Sequence, residues 1–148
     1  MSRLQLLQAQ LHQEVPLTRH MGLRIDAYDG EVVELTADFA ANVNIHGTAF
    51  AGSLFSVCAV AGWALLHLRF EAAGIDALSV LGDADIRYSR PVRRQIRVSC
   101  GIAEATQFDA FMERVGRGER AAVELLAVID SDGREAARFK GRYSAFFD

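Results

Sequence analysis

The run AFAGSLFSVCAVAGWALL, from Ala49 to Leu66, holds eighteen residues and not one charge. A stretch this long and apolar either crosses a bilayer or is enclosed by the rest of the chain. Its many Gly, Ala and Ser residues make it only moderately hydrophobic, and the segments around it alternate as strands whose polar faces need water. Enclosure is therefore the expectation, with no membrane partner. An antiparallel sheet of five or six strands is wide enough to curl round one helix, and Ala59, Ala61 and Gly62 allow close approach.

The flanking patterns supply that sheet. From Glu31 to Phe39 the residues Val33, Leu35, Ala37 and Phe39 alternate with Val32, Glu34, Thr36 and Asp38, the period of a half-buried strand. Residues 23–28 give its hairpin partner, turning at Asp29-Gly30. Further strand patterns run over 78–88, 95–103, 119–130 and 134–147, and Asp132-Gly133 marks the turn into the last of them. Leu4, Leu7, Leu11 and Val15 recur at helical spacing, so residues 3–14 read as a short amphipathic helix ending before Pro16. Residues 108–115 fit a short helix or an extra strand. No βαβ alternation calls for a parallel sheet.

At 148 residues the chain suits one domain, 1–148, with no linker and no repeat. The net charge of −3 is small, and its basic side comprises fifteen arginines and Lys140, which argues against a general nucleic-acid role. Cys58 and Cys100 are too few for a disulfide framework and lack metal-ligand spacing, and the N-terminus has no secretory pattern. A reducing cytoplasm is the expected location, and no metal is expected.

Three segments carry a resemblance: NxNxHGTAFAGSL at 42–54, AGWALL at 61–66 and IRYSRPV at 86–92. With Pro16-Leu17 and Met21-Gly22 they extend it over almost the whole chain. These residues resemble the hotdog-fold thioesterase superfamily, specifically the thioesterase domain at the C-terminus of YiiD-type proteins. The resemblance implies a hotdog fold, a curved antiparallel sheet around one long central helix, in agreement with the α+β pattern above. It also implies hydrolysis of a fatty-acyl thioester of coenzyme A or acyl carrier protein. A homodimer or dimer of dimers, with sites between subunits, is implied as well.

Thioester hydrolysis needs donors aimed at the developing oxyanion and a group that activates water. If the long helix opens near Ala51-Gly52-Ser53, its free N–H groups and dipole face the preceding loop, and Gly52 admits a close ligand. The structural reading of Gly47, Gly52 and Ser53 is a turn and a cap. Many hotdog thioesterases carry an Asp or Glu within two turns of the helix start, yet residues 54–60 here hold no acid. Asn44, His46 and Thr48, just before the helix, are the first substitutes: an Asn can position water or bond the carbonyl, and a neutral His can accept a proton. Asn42 and Asn44 equally suit Asx turns, and His46 an exposed loop. Asp83 and Asp85 are reserves that fit a cross-strand ion pair, and Ser53, Ser56 and Cys58 are nucleophiles without an orienting acid nearby.

Arg87, Arg90, Arg93, Arg94 and Arg97 fall within eleven residues. The first three are candidates for the phosphates of coenzyme A or phosphopantetheine, carried by the substrate rather than as a resident cofactor, or for an acyl carrier protein's acidic face. A solvated strand edge explains them equally. Phe50, Phe55, Trp63, Leu66 and Phe70 give an acyl tunnel or a core. The alternatives to hydrolysis are a non-catalytic acyl-thioester binder and, less favoured without a helix acid, a dehydratase or hydratase.

Overall fold

The uncharged run becomes the axis of the structure, a computed structural model that describes residues 1–148. Helices α1 (Arg3–Glu14) and α2 (Pro16–His20) lead into strands β1 (Arg24–Tyr28) and β2 (Val33–Ala37). A 3-10 turn (Ala40–Asn42) and a loop precede the long helix α3 (Ala51–Ala72). Then come β3 (Leu78–Tyr88), β4 (Ile96–Ile102), α4 (Ala105–Gly116), β5 (Ala121–Ser131) and β6 (Arg134–Phe146).

The six strands make one antiparallel sheet in the order β1-β2-β4-β5-β6-β3. It curves round α3, which packs against β2, β3, β4, β5 and β6. The sheet curled round one helix that the strand patterns predict, and the hotdog fold that the resemblance implies, are therefore the architecture observed. Leu54, Val57, Cys58, Ala61, Ala64, Leu65 and Leu68 of α3 are buried against Val33, Leu35, Val98, Cys100, Leu125, Ile129 and Phe139 of the sheet. Burial of this kind of surface, at roughly 25 cal/mol per Å², is the main force holding the helix in place.

Several boundaries differ from the sequence pattern for physical reasons. The helix runs past Leu66 to Ala72 because Arg69 and Glu71 are held at its end. Arg69 donates to the Gly30 carbonyl at 2.9 Å and lies 4.8 Å over the Phe108 ring, and Glu71 pairs with Arg3. The segment 108–115 belongs to helix α4. Glu104 caps it by accepting from the backbone N–H of Gln107 at 2.6 Å and Thr106 at 3.1 Å, and Phe108, Phe111 and Val115 form its buried stripe. The turn after β1 is longer than Asp29-Gly30, because the Asp29 carboxylate accepts from both Glu31 and Val32 N–H at 2.8 Å. Asp132 and Gly133 both have positive φ, 52° and 78°, the geometry of the tight hairpin their sequence signals.

Gly62 serves a side chain rather than a neighbouring backbone. A Cβ there would overlap the hydroxyl of Tyr143, which is buried and donates to the Ala59 carbonyl at 2.7 Å. Gly62→Ala is expected to destabilise the fold by about 1–3 kcal/mol, the usual penalty for overpacking. A urea midpoint unchanged from wild type would show that the Tyr143 ring can step aside at no cost.

The two sheet edges are unlike. Helix α1 covers β1: the Gln8 side-chain oxygen accepts from Ile25 N–H at 2.9 Å, and the His12 ring bonds the Leu23 carbonyl at 2.7 Å. At the other edge β3 pairs only with β6, and none of its eleven residues is fully buried.

Candidate active site

The loop before α3 is built by its own polar residues. Asn44 Oδ1 accepts from His46 N–H at 2.8 Å and Thr48 N–H at 3.1 Å, while its Nδ2 donates to Thr48 Oγ1 at 2.8 Å. Main-chain bonds from Asn44 N–H to the Thr48 carbonyl and from Gly47 N–H to the Asn44 carbonyl close the turn, with Gly47 at φ 75°. Asn44 and Thr48 are thus joined. His46 enters the cluster through its backbone alone, and its ring is exposed.

Asn42, 3% exposed, anchors the base of this loop. Its Nδ2 donates to the Met21 carbonyl at 2.9 Å and the Asp38 carbonyl at 2.6 Å, and its own carbonyl accepts from Phe50 N–H at 2.7 Å. Ala49 N–H donates to the Val92 carbonyl at 2.7 Å, so the helix entrance is also tied to the segment after β3.

Helix α3 starts at Ala51 with Phe50 as N-cap and no side-chain cap. The carbonyl of Phe50 takes up Ser53 and Leu54 N–H, at 3.0 and 3.1 Å. The N–H groups of Ala51 and Gly52 remain without a protein acceptor. These two donors lie at the positive end of a 22-residue helix.

Two clefts meet at this first turn. One, of about 340 Å³, is lined by Asn44, Ala49, Ala51, Tyr88, Arg90 and Val92 among others. The second, of about 380 Å³, is lined by Leu17, His20, Phe50, Gly52, Ser53 and Ser56 among others. The Phe50 ring rests on Gly52, where a Cβ would press on its edge. Tyr88, on the edge strand, donates from its hydroxyl to the Ala51 carbonyl at 2.9 Å, and partial burial followed by the nearby Cys58 raises its pKa. That phenol is a fixed neutral donor steadying the first turn.

The arginine cluster divides. Arg90 lines the first cleft. Arg87 stands on the outer face of β3 opposite Arg138, which is paired with Glu135 at 2.6 Å, and Arg93 is exposed on the loop before β4. Arg94 faces Asp132 at 3.6 Å in a separate mixed-charge hollow that Arg97 also lines. Asp83 and Asp85 sit opposite Arg142 and Lys140 on the same outer face as Arg87, away from α3.

Among the other nucleophile candidates, Ser56 spends its hydroxyl on the Gly52 carbonyl at 2.9 Å. Cys58 is fully buried, and desolvation with the nearby Cys100 pushes its thiol far up, so a thiolate is not on hand at neutral pH. No three His, Cys, Asp or Glu side chains gather in a way that could hold a metal ion.

Sequence reasoning passed over His20 and Tyr88, while Phe50, offered there for an acyl tunnel or a core, stands exposed as a wall of the second cleft. Tyr88 lay inside the quoted IRYSRPV segment, but its reach to Ala51 depends on the curl of the sheet. His20 belongs to a five-residue helix, and the Asn42 anchor on the Met21 carbonyl ties that corner to the start of α3.

Comparison with known proteins gives this geometry a context. The family described as "Putative thioesterase (yiiD_Cterm)" matches residues 4–146. A protein from Shewanella oneidensis described as a "putative thioesterase" superposes with a TM-score of 0.89 at 28% identity, over 97% of each chain. A protein of unknown function from Chlorobaculum tepidum gives 0.90 at 27% identity, over 97% of this chain and 94% of that one. A Haemophilus influenzae thioesterase shares the fold at 15% identity, with a TM-score of 0.77 over 99% of this chain and 92% of that one.

Proposed function

We propose, from the premise that this chain belongs to the yiiD_Cterm thioesterase family, that it hydrolyses a fatty-acyl thioester of coenzyme A or an acyl carrier protein at the first turn of α3. The observation that carries this reading is the pair of unspent N–H groups, on Ala51 and Gly52, opening between two clefts at an uncapped helix start. Attack of water on a thioester turns the carbonyl oxygen into an oxyanion, and preorganised backbone donors stabilise that charge more than the ground state.

In this reading Asn44 and Thr48 hold the loop that aims those donors, and Gly52 supplies one of them while its missing side chain accommodates the Phe50 ring. Ser53 supplies a hydroxyl at the second cleft, and His46 contributes its backbone N–H to the Asn44 turn. Arg90 suits a phosphate of the carrier in the first cleft, with Arg87 and Arg93 as further cations for coenzyme A or for a carrier protein's acidic surface.

The unlike sheet edges favour a homodimer. An eleven-residue strand with a free edge is a template for pairing, and a second copy laid along β3 satisfies it. The half-buried side chains Leu81, Ala84 and Ile86 of β3, beside Phe55, Ala59 and Trp63 of α3, would be covered by the same contact. Tyr88 and the first cleft would then lie at the junction of the two copies. Two free thiols, both buried, fit a reducing cytoplasm.

Mixing the purified protein with acyl-CoAs of increasing chain length and following thiol release tests the activity. Turnover on part of that series is expected. A second reading, a non-catalytic acyl-thioester binder, draws on the lack of any carboxylate among the residues lining either cleft. Calorimetric binding of every chain length without release of thiol would favour it.

A further inference from the structure

Resting on the thioesterase reading above, we propose that His20 is the proton acceptor that activates the attacking water, in place of a carboxylate on the central helix. Water is a poor nucleophile unless a base takes its proton as the new bond forms. In the first cleft no lining group serves: Arg90 is a permanent cation and the Tyr88 phenol is committed to the Ala51 carbonyl. Of the other histidines, His12 is bonded to the Leu23 carbonyl, His67 stacks on Trp63 beside Glu71, and the ring of His46 lines neither cleft.

His20 differs from all of them. It lines the second cleft together with Gly52, Ser53 and Ser56, and no protein hydrogen bond engages its ring. Its side chain is exposed, but the backbone beside it is anchored although it ends a short helix. The buried Asn42 amide bonds the carbonyl of Met21, the next residue, while the Asn42 carbonyl receives Phe50 N–H at the cap of α3. One buried residue thus couples, through its side-chain amide and its main-chain carbonyl, the backbone that carries the imidazole to the backbone that carries the unspent donors. Ser53, whose hydroxyl is unspent, lines the same cleft and offers a second contact for water.

The step balances without any further reactant. The neutral imidazole takes a proton from water as the water oxygen bonds the carbonyl carbon, and the carbonyl π pair moves to oxygen. When the pair returns, the C–S bond breaks, and the imidazolium returns its proton to the departing thiolate. The products are a free carboxylic acid and a thiol. The charged and titratable groups on the elements around His20 are Arg19 on α2, His12 and Glu14 on α1, and the Arg24–Asp38 pair beside Gly22. None of them lines the cleft.

The test is the kcat-against-pH profile of His20→Gln and His20→Ala, with His67→Gln as a control. Wild type and control should show an acid limb, a loss of kcat on acidification as the general base is protonated. Both His20 variants should drop kcat by about 10²–10⁴-fold with little change in KM, and lose that acid limb. Added imidazole should restore part of the activity of His20→Ala. A His20 variant with wild-type kcat and an intact acid limb overturns the role of His20 alone. Absence of turnover by the wild-type protein on every acyl thioester overturns both this role and the hydrolase reading.

Discussion

Raising the pH from 9 toward 12 is expected to remove several kcal/mol of folding stability, through groups that cannot ionise where they sit. Cys100 is fully buried, and desolvation pushes its thiol from the ordinary 9.0 up to about 12. Cys58 shifts the same way, by desolvation and then by the neighbouring Cys100, and Tyr143 rises from 10.0 by desolvation and then by both cysteines. In the unfolded chain each group sheds its proton near its ordinary value while the folded chain still holds it. The unfolded state then binds fewer protons, so stability falls as pH rises. Below about pH 9 the effect is absent; above it each thiol removes about 1.4 kcal/mol per pH unit. For Cys100 alone that reaches about 4 kcal/mol by pH 12, a large share of the ~5–15 kcal/mol typical of a domain. Urea midpoints measured under reducing conditions from pH 7 to 11 read it directly. A midpoint that does not move between pH 8 and 10.5 sinks the argument, and Cys58→Ala with Cys100→Ala should flatten the curve.

The same buried region shows why the fold was legible in the sequence. Apolar alternation in residues 33–37 and 134–146, and the eighteen uncharged residues of the central run, state directly which faces exclude water. Only one arrangement, a sheet round a helix, hides them all. Where the signal was local and short, it failed. Helix α2 has five residues, too few for a period to show, and α4 needed the Glu104 carboxylate at its cap to separate helix from strand. Phe39, placed on the strand by alternation, has helical φ and ψ at the 3-10 turn instead, because Asn42 draws that turn onto the Asp38 carbonyl.

The candidate site was legible in part, and the split follows from chain distance. Asn44, Thr48, Gly52 and Ser53 lie within one segment, so their proximity needs no knowledge of the fold. Sequence cannot show that the two polar ends of the Asn44 amide are taken up by that same segment. His20 and Tyr88 reach the helix from the α2–β1 corner and from the edge strand, through the Asn42 amide and the curl of the sheet. The arginines mislead in the opposite sense. Their density in sequence suggests one cationic patch, whereas strand alternation and the loop before β4 send them to separate surfaces.

Asn44→Ala is expected to lower kcat/KM by about two orders of magnitude or more, while Asn44→Asp stays within roughly tenfold of wild type. The amide oxygen gathers the N–H groups of His46 and Thr48, and the amide nitrogen holds the Thr48 hydroxyl. Alanine deletes all three contacts. In a half-exposed loop water can replace them, so the stability cost stays near 1 kcal/mol. What alanine loses is aim: Ala49 and Phe50 follow directly on Thr48, and a shift of about 1 Å in the Ala51 and Gly52 N–H groups is enough to cost 10²-fold. An aspartate keeps both acceptor contacts, and the Thr48 hydroxyl can turn to donate to its second oxygen. Its charge lies near the positive end of α3, which stabilises it, yet it opposes a developing oxyanion, and the tenfold allowance covers that opposition. Equal loss in both variants would mean that the amide N–H itself bonds the thioester carbonyl. Wild-type rates in both would remove the loop from the chemistry and leave the two clefts to act without it.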